Sequence, residues 1–536
     1  MTAGWNYADT WEAVADRFGD EQALVHGDLV RTWRELDERA DGIAQALLDA
    51  GLGRQAKVAQ YQRNSPAYLE VLYGCFKASL VPVNTNYRYG DDELRYLWTN
   101  SDAEAVVFDA EFTDVADRLH AELPSVRVWL RVGDDAACPP WARPYEAAAT
   151  SHPGRVRPAW DRSGDDLYLL YTGGTTGQPK GVMWRQDDLF RMLEVAQGSQ
   201  LPEPPDAARF VAALDRPGVT SLPAAPLMHG TACWFVMPIL SRGGSVVTLT
   251  DPSLDPVELL DTVVARRVKG LCIVGEAFAR PLLAALDAEP ERWDLSGLRV
   301  LFSSGAILGE ESKRRFLRHA PNAMVVDGLG SSESGSLGRS ITSGDDAART
   351  ASFRLSADAR VIDDDGRDVV PGSGQKGRLA IGGHIPLGYY GDPEKTAATF
   401  VELAGRRYVV AGDWAEVAED GTITLLGRGS SCINTAGEKV FPEEVEEVLK
   451  AFPRVQDAGV VGVPDERFGE AVTAIVQLEP GAELDEAALI GHVKAHLAHY
   501  KAPKRVFVAP SFPRGPNGKI DHKLLKAQAL EALGSD

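Results

Sequence analysis

The chain has 536 residues, 44% of them hydrophobic and 25% charged, with a formal net charge of −21. These proportions are those of an ordinary soluble protein of roughly two to four domains, and the acidity argues against a nucleic-acid-binding surface, which is normally basic. The five cysteines show no metal-like spacing, the start Met1-Thr2-Ala3-Gly4-Trp5-Asn6 is unlike a signal peptide, and the longest uncharged apolar stretch, around 230–240, is too short to span a bilayer, so a reducing, cytoplasmic setting is expected.

Residues 8–50 predict two helices around a short hairpin at 24–30. From Val58 onward, β-branched runs alternate with helical patterns. Residues 105–108, 245–249, 271–274, 300–302 and 324–326 read as strands; 256–267 and 310–319 read as helices. Alternation at this spacing predicts an α/β fold with mixed or parallel sheets covered by helices. Ligands of such sheets bind at the carboxyl ends of strands, where the turns after Tyr171, Phe302 and Val326 carry Gly/Ser/Thr clusters. The Pro/Gly/Arg-rich stretch 138–164 reads as a surface connection. From about 361 the pattern turns to strands and turns (378–381, 408–410, 422–426), predicting a β-rich subdomain. After Gly427 comes a polar turn and then a compact α+β unit: a helix at 442–452, strands near 455–463 and 471–478, and a helix at 485–499. The expected division is a large N-terminal domain, 1–427, and a small C-terminal domain, 428–536.

The densest chemistry lies just after the apolar run 167–171, in Thr172-Gly173-Gly174-Thr175-Thr176-Gly177-Gln178-Pro179-Lys180-Gly181. Glycines let a backbone approach an anion and turn its N–H groups inward. Threonine hydroxyls add donors and Lys180 adds a compact positive charge. The string suits phosphate, but it is not a Walker loop, which closes on Gly-Lys-Ser/Thr. A second glycine-rich string, residues 372–377, matches GxGxxG. It precedes a strand instead of joining a strand to a helix, so a dinucleotide-binding reading fails.

The order of residues 172–181 closely resembles the phosphate loop of adenylate-forming enzymes: acyl-CoA synthetases, peptide-synthetase adenylation domains and luciferases. Further strings, from about residue 10 to 525, resemble the same family in order and spacing. The resemblance implies an N-terminal domain that binds ATP and a mobile C-terminal lid. It implies an adenine pocket lined by Ser304, Gly305 and Ala306, continuing through Asp327, Gly328, Leu329, Gly330, Ser331 and Ser332 to Glu333. In the family the Ser332 position supplies a hydroxyl near phosphate, and Glu333 helps hold Mg²⁺. Leu329 stands where the family usually has an aromatic ring beside adenine. Asp413 matches the carboxylate that accepts both ribose hydroxyls, and Arg428 the arginine beside the domain hinge. Lys519, in Pro516-Asn517-Gly518-Lys519, matches the lysine that reaches the substrate carboxylate and the α-phosphate. Ser430 matches the hinge position, often Asp or Lys in the family, and Asn434 stands where many members have Lys. Gly437 resembles a position that contacts coenzyme A. The expected catalytic set is Thr176, His229, Glu333 and Lys519.

The reaction so implied joins a carboxylic acid to a thiol through an acyl-adenylate, with ATP, Mg²⁺ and coenzyme A. His229 falls where the family often places a residue beside the substrate carboxylate. Amino-acid-specific members follow that position with Asp; here it is Gly230, which argues against an amino acid. Trp234, Gly275, Phe278 and Gly305 are further expected walls of the acid site. The strings 274–279, 330–333 and 432–441 resemble a bacterial branch that activates fatty acids and steroid side-chain acids. A ligase that loads a carrier protein shares the first half-reaction. No carrier domain follows Asp536, so coenzyme A is the expected acceptor. A non-enzymatic binding protein is disfavoured by the joint presence of Lys180, Glu333, Asp413 and Lys519. A homodimer stays open.

Overall fold

The computed structural model describes residues 4–172, 178–306, 308–344, 351–428, 433–435, 438–465, 469–497, 499–514 and 520–535. The chain divides into two units, residues 1–350 with 381–409 and residues 351–380 with 410–536.

The first unit holds two sheets. In one, the parallel strands Lys57–Tyr61, Val81–Asn84, Ala103–Asp109, Val128–Val132 and Leu167–Thr172 form the interior, and Arg143–Pro144 the far edge. The chain then turns back: Lys180–Arg185 pairs antiparallel with Leu167–Thr172, and Gly388–Tyr389 adds an antiparallel edge. The other sheet repeats this plan. Gln22–His26, Ser245–Thr248, Thr220–Pro223, Gly270–Ile273, Val300–Ser304 and Met324–Ser331 are parallel, and Gly335–Ser343 returns antiparallel against the last of them. Both parallel blocks are nearly continuous apolar runs, as strands covered on both faces must be. Val58, Val83, Val106 and Leu169 are buried in the first, and Val246, Leu271, Leu301 and Val325 in the second. In each sheet a parallel strand turns back into an antiparallel neighbour, Leu167–Thr172 into Lys180–Arg185 and Met324–Ser331 into Gly335–Ser343, and the expected phosphate string and the Asp327-to-Glu333 string lie between those paired strands.

Expected elements recur with adjusted ends. The hairpin at 24–30 is Gln22–His26 and Leu29–Thr32, and the helix Trp33–Asp49 opens on a reciprocal cap between Thr32 and Glu35. The helix expected to reach 267 is Pro256–Ala265, because Arg267 adopts a left-handed φ of 51°. The helix expected to reach 499 is Glu486–His496. Residues 327–331 are not a turn after a strand, as expected, but the end of the strand Met324–Ser331. The stretch 138–164 is more than a surface connection. Arg157 and Arg162 both clasp Glu12, and Arg155 reaches Asp16 and Asp37. Glu12 is held down to a pKa of about 2: those arginines and Lys77 outweigh the burial that pushes it up.

In the second unit, Ser352–Leu355, Ile423–Arg428, Asp413–Val417 and Lys376–Ile381 form one sheet. A second is built around the long antiparallel pair Val455–Asp465 and Gly469–Leu478, with Ile433–Thr435, Glu438–Val440 and Arg505–Val508 beside it. The helices Pro442–Lys450, Glu486–His496 and His522–Ser535 accompany that second sheet.

Candidate active site

The phosphate string joins two paired antiparallel strands, Leu167–Thr172 and Lys180–Arg185. Thr172 pairs with Lys180, and Tyr171 with Gly181. Gly173, Gly174, Thr175, Thr176 and Gly177 lie outside the described residues. The end of the first strand is fixed from outside: the buried Asn84 carboxamide accepts the Tyr171 N–H at 2.6 Å and donates to the Tyr171 carbonyl at 2.8 Å. The same Nδ2 donates to the Met228 carbonyl at 2.7 Å, so the residue before His229 hangs on the phosphate strand.

On the other edge of Lys180–Arg185, Tyr389 stands opposite Val182. Its hydroxyl donates to Glu333 Oε1 at 2.9 Å, and the Lys180 ammonium lies 5.6 Å from the centre of its ring. Lys180, Tyr389 and Glu333 form one cluster drawn from three distant segments. The Lys180 pKa is lowered, first by burial and then by the Lys395 ammonium beside it, against the pull of Asp392 and Glu333. Two ammonium groups side by side favour an anion between them.

Glu333 is presented by the turn that follows Met324–Ser331. Ser331 and Ser334 bond each other through their hydroxyls at 3.0 Å, and each hydroxyl accepts the other's main-chain N–H. A side chain at Gly330 would strike the Gly335 carbonyl at 2.1 Å, so the hairpin closes only on glycine. Trp184, fully buried, donates its indole N–H to the Ser332 carbonyl at 3.0 Å and packs edge-on against Trp234, ring centres 5.5 Å apart. Ser304 lies beside Gly328 and donates to its carbonyl at 2.8 Å. Leu329 is buried. The Asp327 carboxylate is taken up by Lys313, 3.0 Å away in a buried ion pair.

His229 caps the helix Gly230–Ser241, with its N–H on the Pro226 carbonyl and its own carbonyl on Cys233. Gly230 lies against Leu170 and the Trp234 ring. Gly305 holds φ +85°, and a Cβ there would come within 3.2 Å of Thr231 Oγ1. The turn at 229–231 therefore faces the end of Val300–Ser304. Gly275 donates its N–H to Ser303 Oγ at 3.1 Å, and Phe278 packs on the core of the second sheet. Cys233, one turn beyond His229, has its thiol pushed up to about 12 by burial, so it is no thiolate nucleophile.

Two expected site residues are described in the second unit. Asp413 opens the strand Asp413–Val417 opposite Arg428. Gly437 and Lys519 lie outside the described residues, as does Ser430. Arg514 and Ile520 form an isolated antiparallel bridge.

Asn84, Trp184 and Tyr389 were not singled out from the sequence. Asn84 carried a signal, a polar residue closing the apolar strand Val81–Asn84; the other two required the fold.

Among the described residues, no group of three or more His, Cys, Asp or Glu side chains could hold a metal alone. A lone Glu333 beside Lys180 fits Mg²⁺ only when phosphate oxygens share the coordination, which is how Mg²⁺ is commonly bound with nucleotides. Among the described residues, no helix is long and apolar enough to cross a membrane.

Residues 11–390 match the family of AMP-binding enzymes, and residues 444–519 match the AMP-binding enzyme C-terminal domain. A medium/long-chain-fatty-acid–CoA/3-oxocholest-4-en-26-oate–CoA ligase of Mycobacterium marinum is 40% identical, covering 100% of this chain and 98% of its own. A 3-oxocholest-4-en-26-oate–CoA ligase of Rhodococcus rhodochrous is 38% identical, covering 98% and 96%. The crystal structure of ATP-bound MatB from Rhodopseudomonas palustris superposes with a TM-score of 0.82 at 26% identity, covering 98% of this chain and 99% of that one. The chain belongs to the AMP-binding enzyme family, among its adenylate-forming acyl-CoA synthetases.

Proposed function

We propose that the acid activated is hydrophobic, of the fatty-acid or steroid side-chain kind. The observation that carries this is Gly230. It supplies no carboxylate for an amino-acid ammonium after His229, and a Cβ there would meet apolar neighbours, Leu170 Cδ2 at 3.1 Å and the Trp234 ring at 3.5 Å. The helix that follows is apolar from Ala232 to Leu240. The names of the mycobacterial and rhodococcal relatives point to the same acids.

In this reading an oxygen of the acid attacks the α-phosphorus of ATP, the bond to the bridging oxygen breaks, and pyrophosphate leaves. The coenzyme A sulfur then attacks the acyl carbonyl and AMP leaves. The anhydride is already activated, so the enzyme positions groups and stabilises charge. Thr172 to Lys180, with Thr176 within that span, hold the β- and γ-phosphates. Bound Mg²⁺ neutralises phosphate charge, and Glu333 holds it. His229 stands at the acid's carboxylate; Trp234, Gly275, Phe278 and Gly305 line its chain. Ser304 to Ala306 and Asp327 to Ser332 form the adenine pocket, Asp413 takes the ribose, and Lys519 addresses the α-phosphate. Arg428 marks the hinge of a small C-terminal domain, 428–536, that moves between half-reactions, and Gly437 contacts coenzyme A. A cytoplasmic setting fits the four described cysteines, all free.

The test is kcat/KM for a panel of acids with ATP and coenzyme A. The expected order places medium- and long-chain fatty acids and a steroid side-chain acid at least 100-fold above phenylalanine and benzoate. Preference for a small aromatic or amino acid overturns the assignment.

A further inference from the structure

Tyr389 touches both charged groups of the phosphate site, although it belongs to neither of the strings that carry them. It is buried, with 6% of its surface exposed. Its backbone is set by strand pairing to Val182 and by donation of its N–H to Thr396 Oγ1 at 2.9 Å. Its ring is wedged edge-on against Phe400 at 5.8 Å. Gly388 makes this placement possible: at φ +144°, a Cβ there would strike Thr396 Cγ2 at 2.4 Å, so only glycine lets the strand lie this close to the helix Pro393–Thr399. A ring fixed on three sides aims its hydroxyl at Glu333 Oε1 and its face toward Lys180.

We propose that Tyr389 is a positioning residue that sets the Glu333 carboxylate against the Lys180 ammonium, so that metal and phosphate enter a prearranged pair. The inference rests on the reading of Glu333 as the metal-holding carboxylate. A carboxylate on a turn samples several rotamers, and one fixed donor on Oε1 selects a single orientation and leaves Oε2 to face the metal. Partners that orient metal-holding carboxylates typically change metal affinity by about 10- to 100-fold when removed. Tyr389→Phe is the discriminating change, because it deletes the hydroxyl and keeps the ring beside Lys180.

The experiment measures Mn²⁺ binding by electron paramagnetic resonance, with a non-hydrolysable ATP analogue, for wild type, Tyr389→Phe, Glu333→Gln and the double variant. The expected result is a rise of about tenfold in the Mn²⁺ dissociation constant for Tyr389→Phe. ATP-analogue affinity without metal is unchanged, and the double variant is no worse than Glu333→Gln alone. Thioester formation from preformed acyl-adenylate keeps its wild-type rate. Unchanged Mn²⁺ affinity in Tyr389→Phe overturns the proposal while leaving Glu333 in place. Additive losses in the double variant also overturn it. Should Tyr389→Phe not fold, Thr396→Val supplies the comparison, since it removes the acceptor of the Tyr389 N–H; unchanged Mn²⁺ affinity there counts against the proposal. Wild type that binds no Mn²⁺ with nucleotide overturns the reading of Glu333 itself, and the inference with it.

Discussion

The Asn84 carboxamide pairs with both main-chain groups of Tyr171, accepting its N–H at 2.6 Å and donating to its carbonyl at 2.8 Å. It does for the end of a strand what the next strand of the sheet would do. With its second proton on the Met228 carbonyl, it ties the phosphate hairpin to the turn bearing His229. Asn84→Ala leaves three buried main-chain groups without partners. Loss of such partners costs about 1–3 kcal/mol per buried group, so chemical denaturation should show destabilisation on at least that scale. Asn84→Asp should be damaged as well, because its carboxylate has no N–H for either carbonyl. Wild-type stability in both variants would contradict the role given to Asn84.

Glu276 ties the start of the helix Gly275–Ala288 to the helix Glu310–His319. Its Oε1 accepts the Gly309 N–H at 2.7 Å, and Oε2 accepts Ser312 Oγ at 2.9 Å and Arg280 Nε at 3.1 Å. The segment so held begins at Gly305, a proposed wall of the acid site. Glu276→Ala should raise the KM for the acid about tenfold, the equivalent of about 1.4 kcal/mol of lost binding, with kcat at saturating acid little changed. Steady-state kinetics with one fatty acid decide it; a fall in kcat with KM unmoved contradicts this role.

The legible part of this molecule was local. Residues 172–181 suggested a phosphate site because glycine, threonine and lysine stand together within one short string. Repeated β-branched runs announced the sheets because their period is local too. The cluster of Lys180, Tyr389 and Glu333 was half legible. Lys180 and Glu333 stood out within their strings, but Tyr389 lies 56 residues from Glu333 and meets it only through the fold. Trp184 resembled any buried aromatic until its indole was found on the Ser332 carbonyl. The arginines of 155–162 read as surface residues because their carboxylate partners lie more than 100 residues earlier.

Lys180 and Lys395 give a pH prediction. The lowered pKa of Lys180 means that the folded chain releases this proton before an unfolded lysine does. Between those two values the unfolded state binds more protons, so this group's contribution to stability rises with pH. If Lys180 holds phosphate as proposed, affinity for ATP moves the other way, because phosphate favours the ammonium form. Lys395→Met removes the adjacent like charge and should shift the alkaline fall in ATP-analogue affinity to higher pH. Calorimetric titration from pH 7 to 10 checks this; an unmoved midpoint rules out coupling between the two lysines.

Glu443 gives a second. Its pKa is pushed up to about 8, chiefly by burial, with the charges of Glu446 and Asp413 adding to it. Its Oε2 is buried without a hydrogen-bond partner and would lie 2.1 Å from a Cβ at Gly427. In the folded state this carboxyl keeps its proton above the ordinary glutamate range, so the native state binds more protons than the unfolded one. Stability from this group therefore falls as pH rises from about 4.3 toward 8. Glu443→Gln should flatten that part of the stability profile, and Gly427→Ala should be strongly destabilising at every pH. Denaturant midpoints at pH 5 and pH 8.5 test both.

In the proposed reaction an oxygen of the acid attacks the α-phosphorus of ATP to give an acyl-adenylate. The most direct measurement uses a fatty acid labelled with ¹⁸O in its carboxylate, together with ATP and coenzyme A. One AMP and one pyrophosphate should form per acyl-CoA, with one labelled oxygen carried into AMP. Formation of ADP, or AMP without the label, would contradict the adenylate.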